Sequence, residues 1–375
     1  MKQVLLALLA LPILSVAQET SKTMNFDDVD RTYIEYIPSV YDGSTAVPLL
    51  ISLHGLGDNM NNFKNVGFQQ LAEIEDFIVI TPQALVDNLT NSSAWNSGAG
   101  AFGITLNADV NDVGFIRALI DEASTLYNID QAKIYATGFS MGGFMSNRLA
   151  CELNWRVSAI ASVAGTIGSG ITCEPGRAVP AAHFHGTADE TVSYSGNLYG
   201  NDAEALLDFW KTNNTCTAAV DTLDFEDTVP GDSIAVVRYH FTDCANGAEI
   251  MFYKAIGAAH EWLFKPNNDI SYTDKIWEFL SAQTHPNPSS VSISESSIPE
   301  LAITLFPNPA SEKVQINLAE NQAFTVALYD NKGVLLLNET ATQNLEISIA
   351  NLPVGVYHVK VETTTGIAVK RLVKE

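Results

Sequence analysis

Gly138-Phe139-Ser140-Met141-Gly142, extended by Gly143, sets a serine among glycines at the spacing of a sharp strand-to-helix turn. The run Lys133–Thr137 precedes it and the helical stretch FMSNRLACEL follows, so the Ser140 hydroxyl should project from a strand end. A serine hydroxyl attacks poorly until a base takes its proton, and that base needs a carboxylate to hold one tautomer. Two later strand ends offer these groups. The strand PAAHF runs into His185-Gly186-Thr187-Ala188-Asp189, and Ile250–Ile256 runs into Gly257-Ala258-Ala259-His260. This order suits acyl transfer at an ester, with Ser140 as nucleophile, His260 as base and Asp189 as the acid that orients it.

The negative charge that develops on the carbonyl oxygen needs donors. Met141, at the start of the helix, supplies one backbone N–H. The early loop His54-Gly55-Leu56-Gly57, after the strand Pro48–Leu53, offers the Leu56 N–H as the second.

Other chemistries fit less well. His183 and His185 lie two apart on a strand and share a face, but no third metal ligand is evident, so both read as packing residues. His260-Glu261 lacks the second histidine of a zinc-protease helix, and neither a phosphate loop nor a dinucleotide fingerprint occurs. No metal and no cofactor is expected.

These residues need a scaffold, and the chain is long enough for one. It has 375 residues, 46% of them hydrophobic, with a formal charge of −23. That composition supports a buried core, and the acidity disfavours nucleic acid and anionic lipid as partners. The near-continuous apolar runs Pro48–Leu53, Phe77–Thr81, Lys133–Thr137, Ser158–Val163 and Pro180–Phe184 read as strands of a mostly parallel sheet covered on both faces. Between them, Phe115–Tyr127 carries Ile116, Leu119, Ile120, Ala123 and Leu126 at helical spacing, with Asp112 placed to cap it. The fold class is therefore α/β.

Residues 1–17 combine Lys2, an apolar run and a small-residue end, the pattern of a secretory leader too short to span a bilayer comfortably. No later apolar run is long enough to cross a membrane, so the mature protein should be exported through the periplasm without a span. Disulfides persist there. Four cysteines allow three pairings, and nearest neighbours, Cys151 with Cys173 and Cys216 with Cys244, are the expected ones. Residues 18–284 form the expected catalytic domain and the Pro- and Ser-rich 285–299 a linker. Residues 300–375 alternate polar and apolar between Gly-containing turns, which predicts a small all-β sandwich.

The pieces HGLGDN (54–59), AWN (94–96), DVGF (112–115), GFSMGG (138–143), FHGTADETV (184–192) and AAHEW (258–262) together resemble the secreted carboxylesterases of the α/β-hydrolase superfamily. These include feruloyl and acetylxylan esterases of carbohydrate esterase family 1 and polyhydroxybutyrate-depolymerase-like esterases. The resemblance implies an α/β-hydrolase fold, the triad Ser140, Asp189 and His260, and Trp95 lining the acyl or alcohol pocket. The segments LFPNPASEKVQINL (305–318), VALYDNKGVLL (326–336) and LPVGVYHVKV (352–361) resemble the type A sorting domain of the type IX secretion system of Bacteroidetes. That implies the secretion machinery as a partner and the cell surface or medium as destination.

Only about sixteen residues separate the strands Ser158–Val163 and Pro180–Phe184, too few for a helical lid. An open crevice suits an ester carried on a polymer, such as feruloyl or acetyl groups of plant polysaccharide. A polyester depolymerase is the alternative enzyme, and a non-catalytic polysaccharide-binding module the alternative of another class.

Overall fold

The computed structural model describes residues 17–101, 104–288, 303–318, 323–329, 335–342, 344–363 and 367–374. The expected leader, apart from its last residue, and all of the linker beyond residue 288 lie outside the described residues. The chain divides into two compact units, Met1–Val291 and Ser292–Glu375.

In the first unit the strands are β1 (Gln18–Phe26), β2 (Val29–Ile37), β3 (Val47–Leu53) and β4 (Ile78–Pro82). Two minor hairpins follow, β5 (Val86–Asp87) with β6 (Ser92–Ser93), and β7 (Gly100–Ala101) with β8 (Ile104–Thr105). The sheet resumes with β9 (Ile129–Phe139), β10 (Ala159–Val163), β11 (Ala181–Gly186), β12 (Asp221–Asp224), β13 (Ala235–Phe241) and β14 (Ile250–Ile256). Its ten strands run in the order β1-β2-β4-β3-β9-β10-β11-β14-β13-β12. The centre, from β4 to β14, is parallel, and antiparallel strands flank it on both sides.

The helices are α1 (Met60–Phe63), α2 (Phe68–Glu75), α3 (Asp112–Leu126), α4 (Met141–Glu152), α5 (Ala203–Asn213) and α6 (Tyr272–Ser281). They cover both faces because successive side chains of a strand point to opposite sides. Along β3, Leu49, Ile51 and Leu53 join a core with α3, α4 and α5, whereas Leu50 joins a second core with α2 and α6. This is the expected α/β-hydrolase architecture. Among the described residues, no helix is long and apolar enough to cross a membrane.

The start of α3 departs from expectation. Asn111, not Asp112, is its cap, with its side chain accepting from the Gly114 N–H at 3.0 Å. Asp112 lies inside the helix and turns to Arg31, 2.7 Å away, and to the Asn96 N–H, also 2.7 Å away. Both charged groups are buried, and the Arg31 guanidinium also lies over the Phe115 ring. A caged carboxylate with two fixed donors is no longer free to cap a helix.

Both cystine pairs are the nearest-neighbour ones, Cys151–Cys173 and Cys216–Cys244. His285, at the first position of the expected linker, is buried, and its backbone N–H reaches the Ala132 carbonyl at 2.9 Å, so ordered packing of the first unit extends to it.

The second unit holds the antiparallel strands β15 (Ile303–Phe306), β16 (Lys313–Leu318), β17 (Phe324–Tyr329), β18 (Leu335–Ala341), β19 (Leu345–Ser348), β20 (Gly355–Glu362) and β21 (Ile367–Lys374). They form a three-stranded sheet, β15-β16-β19, and a four-stranded one, β18-β17-β20-β21. Val314, Ile316 and Ile347 from the first share a core with Val326, Leu328, Val359 and Val361 from the second, the result of period-two alternation.

Candidate active site

Ser140 joins β9 to α4 with φ 54° and ψ −119°, a conformation that costs a non-glycine residue roughly 1–3 kcal/mol. The surroundings enforce it. The Ser140 N–H is bonded to the Val163 carbonyl at 2.8 Å, and its own carbonyl accepts from the Phe144 N–H at 3.0 Å. Glycines make the turn possible: an added Cβ at Gly138 would lie 2.4 Å from the Gly142 backbone, and one at Gly165 would lie 2.4 Å from the Ser140 carbonyl. Asn147, buried on α4, bridges the Gly143 and Gly165 carbonyls at 3.1 and 3.0 Å and accepts from the Trp210 indole at 3.0 Å. The turn is thus tied to the loop after β10 and to α5.

Asp189 follows β11 and is 4% exposed. Its Oδ1 accepts the N–H groups of Thr191 and Val192 at 2.9 and 2.8 Å, while Oδ2 stands 2.7 Å from His260 Nδ1. His260 arrives from the turn after β14, which packs closely on the end of β11: an added Cβ at Gly186 would lie 2.3 Å from the Ala258 carbonyl. Burial works against the Asp189 charge, but the hydrogen bonds from His185 and His260 overcome it and hold the carboxyl well below the usual carboxylate range. An ionised acceptor requires His260 to present Nδ1–H to it, which leaves Nε2 free to take a proton. The His260 imidazole lies against the Phe139 ring, with centroids 4.7 Å apart.

Leu56, Ala99, Gly100, Ser140, Met141, Phe144, Thr191, Val192 and Tyr199 enclose a cavity of about 110 Å³. Its lining carries no charged side chain, so it suits a neutral group. Among the described residues, no acceptor takes the backbone N–H of Leu56 or of Met141, and both residues border the cavity beside Ser140.

Trp95, expected to line the pocket, does not. It is fully buried and donates its indole N–H to the His54 carbonyl at 2.9 Å. A large ring with one donor is best satisfied beneath a strand end, where it fixes the loop that carries Leu56. His54 is buried as well. Its Nε2 accepts the Ala84 N–H at 3.1 Å, so Nδ1 carries the proton and donates to the Gly55 carbonyl at 2.7 Å. Burial lowers its pKa, which keeps it a neutral strut.

Sequence reasoning did not find Phe144, Thr191, Val192 and Tyr199 as lining residues. Phe144, one helical turn after Ser140, was the most readable of them, since that spacing returns a side chain to the same face. Among the described residues, no group of three His, Cys, Asp or Glu side chains could hold a metal ion.

Residues 39–222 match the family of phospholipases and carboxylesterases, and residues 304–375 match the secretion system C-terminal sorting domain. Over residues 39–222 the first unit is thus similar to carboxylesterases, and its sheet and helices have the α/β-hydrolase fold. The second is a sorting domain, which marks the chain for export by type IX secretion. Among curated proteins, the chain is 28% identical over 245 residues to feruloyl esterase B of Piromyces equi, a match covering 61% of this chain and 42% of that protein. It is 28% identical over 247 residues to the bifunctional acetylxylan esterase/xylanase XynS20E of Neocallimastix patriciarum, covering 65% of this chain and 32% of that protein. It is also 27% identical over 261 residues to feruloyl esterase C of Emericella nidulans, covering 67% of this chain and 84% of that protein. The chain thus spans less than half the length of the first two relatives.

Proposed function

We propose that the first unit is a serine carboxylic ester hydrolase acting on polymer-borne esters, such as feruloyl or acetyl groups of plant polysaccharide. The observation that carries this reading is the 2.7 Å contact between Asp189 and His260, set beside a strained Ser140 that opens on an uncharged cavity.

In this mechanism Ser140 Oγ attacks the ester carbonyl carbon while His260 Nε2 takes its proton. The carbonyl oxygen becomes an oxyanion held by the Leu56 and Met141 N–H groups, and losing one such donor typically costs about 3 kcal/mol of transition-state stabilisation. Collapse breaks the bond to the leaving alcohol, which departs with the proton from His260. Water then attacks the acyl-serine by the reverse proton path, releasing the acid and restoring Ser140. Asp189 stays ionised throughout and stabilises the imidazolium.

The polymer-borne part of the proposal is supported by the segment between β10 and β11, which contains no helix, and by the half-buried Ser140, which remains reachable. The names of the relatives point the same way. The sorting domain supports the type IX machinery as a partner in delivery. For the test, Ser140→Ala should lower kcat on a feruloylated oligosaccharide and on p-nitrophenyl acetate by about 10⁴-fold or more with the fold intact. Near-full activity in that variant would remove Ser140 from the mechanism. A polyester film assayed in parallel separates the depolymerase alternative. Saturable polysaccharide binding without any hydrolysis would favour a binding module.

A further inference from the structure

Behind Asp189 lies a second buried imidazole that the triad does not use. His185 is 1% exposed, and its Nε2 stands 2.8 Å from the Val192 carbonyl and 3.4 Å from Asp189 Oδ2. A carbonyl can only accept, so His185 Nε2 carries a hydrogen. His183 Nε2 lies 3.0 Å from His185 Nδ1. Its own Nδ1 is buried without a hydrogen-bond partner among the described residues. Burial, with His185 alongside, pushes the His183 pKa well down, so this ring stays neutral.

We infer that His185 is a positioning residue, whose single Nε2–H ties the carboxylate that orients His260 to the Val192 carbonyl in the crevice wall. This deepens the proposed hydrolase and rests on that reading. Val192 lines the cavity, and its N–H already returns to Asp189 Oδ1, so one carboxylate and one imidazole together clamp the acid, the base and the wall. The other ionisable groups facing His185 are few. Tyr194 meets it edge-on with ring centroids 5.6 Å apart, and the Tyr194 hydroxyl is held by Glu204 at 3.0 Å, with Lys254 over the Tyr194 ring. Phe252, on the neighbouring strand, stacks on His183.

Loss of the His185 donor leaves Asp189 a stronger acceptor, which favours a protonated base. The full-length protein carrying His185→Phe, which keeps the ring volume, should therefore show kcat lowered by about tenfold to a hundredfold and the acid limb of kcat/KM moved to higher pH. His185→Gln, which can again present an N–H, should restore part of both. His183→Leu, one link further back, should shift the limb the same way by less, and it serves if His185→Phe does not fold. A residue that merely packs would give an unmoved limb and no advantage of Gln over Phe, and that result overturns the inference. The low-field proton NMR signal of the His260–Asp189 bond is read in the same variants without turnover. If the wild type hydrolyses no ester yet this signal moves in His185→Phe, the positioning role stands and the hydrolase reading falls. If Ser140→Ala is inactive while the His185 variants match wild type in both readouts, the hydrolase stands and the positioning role falls.

Discussion

Gly142 rests so closely on Leu53 that a Cβ added to it would lie 2.0 Å from the Leu53 carbonyl oxygen. The first turn of α4 is thereby pressed against the end of β3, and this closeness brings Met141 and Leu56 to the same side of the crevice. Gly142→Ala should therefore displace one donor loop from the other and reduce ester hydrolysis by about a hundredfold or more. Gly176→Ala is the control, because nothing lies within 4 Å of a Cβ there. Equal activity of the two variants would contradict the tight turn.

The Arg31–Asp112 pair predicts a stability effect far from the chemistry. Removing one member of a buried pair strands the other charge and typically costs about 3–5 kcal/mol. Arg31→Met should lower the urea midpoint accordingly, and Arg31→Met with Asp112→Leu should recover much of the loss. A double variant worse than the sum of the singles would argue against a stranded charge as the cause.

Asp189 gives a pH signature with a defined sign. Its carboxyl is depressed in the folded chain, so the stabilising contribution is present above the ordinary carboxylate range and fades as pH falls through the lower folded value. Asp189→Asn should thus destabilise the protein more at pH 7 than at pH 3, as read from unfolding free energies. At neutral pH the same variant should lower kcat by about 10⁴-fold, since the amide favours the wrong tautomer of His260. A destabilisation that grows towards acid would show that the carboxylate is not the stabilising form.

The parts of the fold and site that could be read from the chain are those set by local pattern. Apolar runs located β3, β4, β9, β10, β11 and β14 to within a few residues, because strands buried on both faces have little room for polar side chains. The turn at Ser140 was legible from its glycines, and Asp189 and His260 from their places after strands. Partners distant in sequence were not. Asp112 reads as a cap until Arg31, 81 residues away, is brought to it by β2. Trp95 reads as a pocket residue until its N–H is traced to His54. The hairpin of β1 and β2 is hard to read because β1 is a half-exposed edge strand whose inner face is apolar only at Met24 and Phe26. Thr191 and Val192 lie in a turn, and their positions follow from a carboxylate oxygen rather than from any periodicity.

The cystines carry a further expected outcome. Opening the Cys151–Cys173 and Cys216–Cys244 loops, with sequence separations of 22 and 28, should cost roughly 3–4 kcal/mol each on a chain-entropy account. Reduced protein should melt earlier than oxidised protein in a thermal scan with and without thiol. Coincident curves would mean that the loops are held by packing alone.

The first of these bonds has a second consequence. It fastens the C-terminal turn of α4 to the segment after β10, whose Gly168 and Gly170 lean on Gly98 and Ala99 beside the cavity. Without that bond, the contact beside the cavity would rest on main-chain hydrogen bonds such as Gly170 N–H to the Gly98 carbonyl at 2.8 Å. An oxidising compartment would thus complete the bracing behind the wall that Ala99 and Gly100 give the cavity.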